Sequence, residues 1–343
     1  MTTVLESLNS GLQRAFSTDA RVLLLGEDVL DPYGGAFKVT RGLSTAYPGR
    51  VIATPISEAG IVGLAAGIAL RGLRPVVEIM FGDFLTLAAD QLINHAAKFR
   101  WMYNDQARVP LVVRTPMGGR RGYGPTHSQT LEKHFLGTPG LEILAPCAVG
   151  DPGKLLSEAI LTGEDPVLFI ENKLSYLQSI HEPQSDTEFE ITQIEAAQPA
   201  QGVPGARPTP VYLLRVHGAP PPVITLTCYG YMVDLARQAA QRLAFEQEVF
   251  VEIVAPTRLA PIETGAILTS ARQTGRLIAL EEGGVSFGWG AEVIARAAQA
   301  LGPRLLAAER LGALDLPIPS SGPLEAQVLP DVERIMRISQ KIV

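Results

Sequence analysis

An α/β protein, with one parallel sheet held between helices and a smaller α/β domain after it, is what this sequence predicts. Three observations carry that expectation. Short apolar runs alternate with helical patterns over residues 1–178, a stretch rich in Pro, Gln, Glu and Gly interrupts them over 179–222, and a second alternation fills 223–343. Strands alternating with helices are the mark of βαβ units, whose right-handed crossovers place helices on both faces of a parallel sheet.

In the first region the strand candidates are Arg21–Leu25, Val51–Ile56, Pro75–Met80, Pro110–Arg114, Leu141–Ala145 and Pro166–Ile170. Helical patterns fall between most of them. The strongest runs from Phe84 to Tyr103, where Leu87, Leu92, Ile93, Ala96 and Phe99 make an apolar stripe. The interrupting stretch contains Ala219-Pro220-Pro221-Pro222 and reads as a connector with one edge strand, Val211–Val216. Beyond it come strands at Val223–Cys228, Val249–Val254, Arg276–Leu280 and Arg304–Ala308. Helices are expected at Val233–Leu243, Thr264–Gln273, Ala291–Leu301 and Pro330–Ile342.

Composition narrows the function classes. The 343 residues suit two domains, and 29 basic against 35 acidic residues give a net charge of −6. Without a long basic block, a nucleic-acid partner is not expected, because phosphate would be repelled on average. No apolar run reaches transmembrane length, so no membrane partner is expected either. The first residues lack the basic start and continuous apolar run of a signal sequence, and the two cysteines, Cys147 and Cys228, stand far apart outside any metal-ligand or CxxC spacing. A cytoplasmic protein with core cysteines and no side-chain metal cluster is the expectation.

Glu58 is the most informative residue. It sits between the end of the run Val51–Ile56 and the small-residue helix pattern Ala59–Gly67. Ligands of open α/β sheets gather at the carboxyl ends of strands. An acid there, flanked by Ile56 and Ile61, is suited to exchanging a proton with a ligand nitrogen. The competing reading is a helix N-terminal glutamate stabilised by the helix dipole. His127 supplies a second signal, since it lies just past the loop Gly118–Gly124, where it can reach a ligand; the competing reading is a surface histidine. A hydrolase built on Ser57 or Ser128 lacks a nucleophile elbow. Arg120 and Arg121 can attract an anion, although paired loop arginines are commonly solvated.

Taken in order, Asp31-Pro-Tyr-Gly-Gly-Ala-Phe-Lys-Val-Thr-Arg-Gly42, Thr54-Pro-Ile-Ser-Glu-Ala-Gly60, Asp90-Gln-Leu-Ile-Asn-His-Ala-Ala-Lys98 and His127-Ser-Gln129 make a specific combination. The chain resembles the beta subunit of the thiamine-diphosphate-dependent decarboxylating component of pyruvate and branched-chain 2-oxoacid dehydrogenases, within the transketolase superfamily. Leu280-Glu-Glu-Gly-Gly284, Phe287-Gly-Trp-Gly-Ala-Glu292 and Leu324-Glu325 extend the likeness over nearly the whole chain.

That resemblance implies a transketolase-like pyrimidine-binding domain over 1–178, a connector, and a transketolase C-terminal domain over 223–343. It implies thiamine diphosphate with Mg²⁺ as cofactor, yet the family's Gly-Asp-Gly diphosphate motif is missing, because Gly82-Asp83-Phe84 lacks the second glycine. Diphosphate and cation are therefore expected from an alpha subunit in an α2β2 assembly, with a lipoyl-bearing acyltransferase as a further partner. Glu58 matches the glutamate that bonds the pyrimidine nitrogen and favours the imino tautomer. Ile56, Met80 and Phe84 match positions lining the pyrimidine, and His127 matches the histidine at the substrate side. The implied reaction is oxidative decarboxylation of a 2-oxoacid with acyl transfer to lipoamide. Alternatives are a thiamine-dependent carboligase subunit or a noncatalytic assembly partner, although intact Glu58 and His127 speak against the latter. A structural K⁺ site in many members uses backbone at positions matching Leu111, Ala159 and Ile160 plus an acidic turn; here that turn, Leu161–Pro166, is one residue longer, which speaks against the ion.

Overall fold

The computed structural model describes residues 2–196 and 207–343. Its strands are, in chain order, β1 Val22–Gly26, β2 Val51–Ala53, β3 Arg74–Glu78, β4 Val112–Met117, β5 Glu142–Leu144, β6 Val167–Asn172, β7 Phe189–Ala196, β8 Thr209–Val216, β9 Ile224–Thr227, β10 Val251–Pro256, β11 Arg258–Ala260, β12 Arg276–Gly284 and β13 Ala307–Ala313. They form a seven-stranded sheet in the order β11-β5-β6-β4-β3-β1-β2 and a six-stranded sheet in the order β13-β12-β9-β10-β8-β7. Pairing in the first is parallel except where β11 meets β5. The second is parallel except where β8 meets β10 and β7.

Strands β1, β4, β5 and β6 are buried almost throughout, as parallel strands covered on both faces must be. The opening helix, Val4–Thr18, starts on a capping box in which the Thr3 hydroxyl accepts from the Glu6 N–H while the Glu6 carboxylate accepts from Thr3. It buries Val4, Leu8, Leu12, Ala15 and Phe16, the i, i+4 face. It crosses the helix Pro152–Thr162 so closely that a Cβ on Gly11 would stand 2.2 Å from the Gly153 carbonyl oxygen. A single methyl at either glycine would push the two helices apart.

Two expectations need correction. Residues Phe84–Tyr103 do not make one regular helix: a 3₁₀ segment Gly82–Ala88, a π-helical turn Gln91–Ala96 and an α-helix Ala97–Met102 follow one another. Leu92 and Ala96 are buried as the stripe required, but Leu87 is 59% exposed, because the tighter 3₁₀ winding rotates it off the face. The stretch 179–222 is also more than a connector. It carries a hairpin, β7 with β8, that extends the second sheet, so Val211–Val216 lies inside β8 and the edge is β7. The mixed polarity of β7, buried only at Phe189 and Ala196, hid it. Cys147 and Cys228 are both free and buried.

Candidate functional site

The carboxyl ends of β1 and β2 bring two acids together. Pairing of the strands is prolonged by the Thr54 N–H donating to the Gly26 carbonyl at 3.0 Å, which leaves Glu27 just past β1 level with the start of the helix Glu58–Leu70. Glu58 is the first residue of that helix and is 6% exposed. Burial pushes the Glu27 carboxyl above its ordinary range, and the charge on Glu58 pushes it further, then that on Asp28. Glu27 Oε1 and the Thr54 hydroxyl are buried with no hydrogen-bond partner. Buried acceptors without donors are costly and are kept where something else completes them. Glu27 Oε1, close enough to Glu58 to feel its charge, is therefore an acceptor without a donor. Ile56, by contrast, is 82% exposed and stands at the rim.

Directly after Glu27 comes the loop 28–42, fastened by Asp31. Its carboxylate accepts from the Gly42 N–H at 2.7 Å, the Ser44 hydroxyl at 2.7 Å and the Thr45 N–H at 3.0 Å. These bonds, led by that of Gly42, hold it well below the usual carboxylate range. Beneath the loop, a Cβ on Gly35 would meet Glu78 Oε1 at 2.4 Å, and the φ of +81° there suits glycine alone. Glu78 belongs to a buried ionic group: Arg114 donates to Glu78 and, through Nε at 2.7 Å, to Glu171, which also accepts from the Tyr176 hydroxyl. Burial raises Glu78, whereas the two carboxylates more than offset burial for Arg114 and hold it firmly charged. Sequence reasoning missed this group. The available signal was a charge inside an apolar strand three times over, Val-Val-Glu78, Val-Val-Arg114 and Phe-Ile-Glu171.

His127 is half-buried, and Phe81 links it to Phe37 of the loop 28–42. Its ring meets Phe81 and Phe84 edge to face, with centroids 5.0 Å and 5.1 Å away, and Nδ1 pairs with the Thr126 hydroxyl at 3.0 Å. Phe84 thus touches His127, and Met80 is half-buried at the end of the same strand segment. The next residues are anchored by Asp83, whose Oδ1 accepts from the Gln129 N–H at 3.2 Å and side-chain amide at 2.8 Å. Ser128 Oγ is fully buried without a partner, so no base stands ready to activate it.

The loop Gly118–Gly124 is pinned by acids of the second half of the chain. Glu282 accepts from the Gly119 N–H at 2.8 Å, Arg120 Nη1 at 3.2 Å and Asn172 Nδ2 at 2.8 Å, while Glu325 accepts from the N–H groups of Arg120 at 2.7 Å and Gly122 at 3.1 Å. Arg120 is thus a clamp between the halves. Arg121 remains exposed near the Phe37 ring. A second buried contact between the halves is the Tyr229 hydroxyl donating to Glu132 at 2.6 Å; nearby, Glu281 accepts from the Gly290 N–H at 3.1 Å. Among the carbonyls of the potassium pattern, that of Ile160 already accepts from Arg74 Nη1 at 2.8 Å, as does that of Gly163.

The model of the transketolase pyrimidine-binding domain matches residues 2–178, and that of the transketolase C-terminal domain matches 218–335. The chain is 36% identical over 343 residues to a mitochondrial pyruvate dehydrogenase E1 component subunit beta-1 of Arabidopsis thaliana, covering 99% of this chain and 88% of that protein. The chain belongs to the transketolase-like E1 beta-subunit family. Other members are the pyruvate dehydrogenase E1 component subunit beta of Leifsonia xyli, 35% identical over 98% of this chain and 93% of that one, and an acetoin:2,6-dichlorophenolindophenol oxidoreductase subunit beta of Bacillus subtilis, 33% identical over 98% and 96%. The fold is that of a solved split-gene transketolase, an inactive beta4 tetramer, with a TM-score of 0.73 at 18% identity over 100% of this chain and 98% of that one. As an E1 beta-type chain, it carries the two-domain α/β fold that the sequence predicted. None of its described helices is long and apolar enough to cross a membrane.

Proposed function

We propose that this chain is the beta subunit of a thiamine-diphosphate-dependent 2-oxoacid dehydrogenase, catalysing oxidative decarboxylation with acyl transfer to lipoamide. The observation that carries this is the convergence of buried Glu58 with the orphaned Glu27 oxygen at two neighbouring strand ends, in a chain 36% identical to a pyruvate dehydrogenase E1 beta subunit. A cradle short of donors fits a protonatable aminopyrimidine. When bound, the cofactor supplies the electron sink that decarboxylation requires. Glu58 holds and returns a proton at its carboxylate. Phe84, with Met80 and Ile56 beside it, presents apolar surface to the ring and excludes water, and His127 offers Nε2 to the substrate side for the carboxylate or the acyl acceptor. Pyruvate is the first substrate to try.

An alpha subunit holds Mg²⁺ and diphosphate in this reading and completes an α2β2 assembly, since Gly82-Asp83-Phe84 offers no second glycine for them. With Arg74 at the Ile160 carbonyl, no potassium site is proposed. The test is co-expression with an adjacent alpha-type gene, followed by a screen of 2-oxoacids with a dye acceptor, with and without lipoylated protein. Dye reduction and acyl-lipoyl formation by the complex support the reading. Micromolar thiamine diphosphate binding by the isolated chain with Mg²⁺, or a complex inactive on every 2-oxoacid, overturns it.

A further inference from the structure

Lys173 is a charged side chain for which the chemistry above has no use. It directly follows β6 and is fully buried, a placement lysine avoids unless it is paired. Its Nζ forms no ion pair among the described residues. Instead Nζ donates to the backbone carbonyl of His127 and lies 5.1 Å from the Phe81 ring centroid and 5.8 Å from that of Tyr123. Aromatic faces stabilise a cation that no carboxylate touches directly. Phe81 is shared, because its ring also walls the His127 imidazole at 5.0 Å. The lysine backbone is itself fixed on both sides: its N–H donates to the Met117 carbonyl at 3.1 Å and its carbonyl accepts from Arg121 Nη2 at 3.4 Å.

An apolar chain such as methionine would fill this space without the penalty of burying a charge. What methionine cannot do is donate to the His127 carbonyl or hold Phe81 in register with the imidazole. We propose, resting on the reading of His127 as the substrate-side group, that Lys173 is its positioning residue, fixing the loop through the carbonyl and the ring through Phe81. The charges facing it are those of Asp83 and Glu282, then Arg121 and Glu325; burial brings its pKa down to about 8. In the neutral form the cation's hold on the two rings weakens.

The experiment compares Lys173→Met, Lys173→Arg, His127→Ala and the double variant Lys173→Met/His127→Ala in complex with the alpha-type chain. Displacing a catalytic group by about 1 Å costs on the order of a hundredfold. Lys173→Met is therefore expected to lower kcat for the lipoamide-linked reaction by about ten- to a hundredfold, with KM for the 2-oxoacid little changed, and to add almost nothing in the His127→Ala background. Full additivity in the double variant overturns the proposal. Lys173→Arg keeps the charge at all working pH and moves the alkaline limb of the kcat profile upward; a limb that stays in place overturns the part assigned to the ammonium. Independent of turnover, carbethoxylation of His127 in the full chain alone, followed by peptide mass spectrometry, should be faster in Lys173→Met and near wild type in Lys173→Arg. An unchanged rate in correctly folded Lys173→Met sinks the positioning role. If the wild-type complex turns over no 2-oxoacid, the functional reading fails while this labelling still decides how the ring is held.

Discussion

Replacing Glu58 by Gln separates chemistry from stability. The amide keeps the volume and outline of the side chain in a setting only 6% exposed, so no cavity opens. Lost are the charge and the exchangeable carboxyl proton. Removing one acid-base group lowers a rate by roughly 10² to 10⁴, which is about 3 to 6 kcal/mol of transition-state stabilisation at ~1.4 kcal/mol per decade. The fold responds in the opposite sense. In the wild type Glu58 and Glu27 are like charges at one site, the first raising the second's pKa, so removing one relieves repulsion. Thermal stability is expected to be equal to or above that of wild type, and assembly with the alpha-type chain unchanged by gel filtration. The assay is dye reduction by the complex on its best 2-oxoacid, with Tm by calorimetry on the same preparation. More than a tenth of wild-type turnover would refute the assignment of Glu58 to proton transfer. A Tm several degrees lower would show that the carboxylate serves the fold instead.

Substituting His127 by Ala should hurt the lipoamide-linked reaction far more than cofactor binding, by about 10²-fold or more; a variant that transfers acyl groups normally but fails to bind thiamine diphosphate by calorimetry would make His127 structural. Glu281 is 1% exposed, and burial followed by the charge on Glu132 pushes its pKa up to about 8 from an ordinary 4.5. The folded protein therefore holds a proton that the unfolded chain has released between those values, and stability from this group falls as pH rises from about 4.5 to about 8. Glu281→Gln should flatten that decline in Tm; an unaltered pH dependence would count against it. Exchange of potassium for sodium at constant ionic strength should leave Tm and turnover unchanged, because Arg74 already serves the Ile160 and Gly163 carbonyls, and a potassium-specific rise in Tm would show otherwise.

The positions of the strands were legible because buried parallel strands read as continuous apolar runs: Val22–Gly26 and Val167–Asn172 lie within a residue or two of where the pattern put them. Glu58 was legible for the related reason that an acid between a strand and a small-residue helix stands out. What stayed hidden depends on distance along the chain. Glu27 gains meaning only beside Glu58, and Lys173 only beside Phe81, Tyr123 and the His127 carbonyl. Phe84–Tyr103 failed for another reason. Its apolar spacing is helical, but consecutive 3₁₀, π and α turns change the phase that a single period assumes.

Strand β11 comes from the second half of the chain, yet it closes the first sheet by lying antiparallel to β5. The line that separates the two family domains, between residues 178 and 218, is therefore not the line along which the molecule comes apart. A fragment ending at 178 would leave the outer edge of β5 with bare N–H and C=O groups, an open invitation to pair with other copies. The leading half borrows its finishing piece from residues translated some eighty positions later, so it cannot be completed on the ribosome before Ala260 has emerged. Melting of the full chain should accordingly be one cooperative event, and recombination between relatives should succeed when β5 and β11 are inherited together.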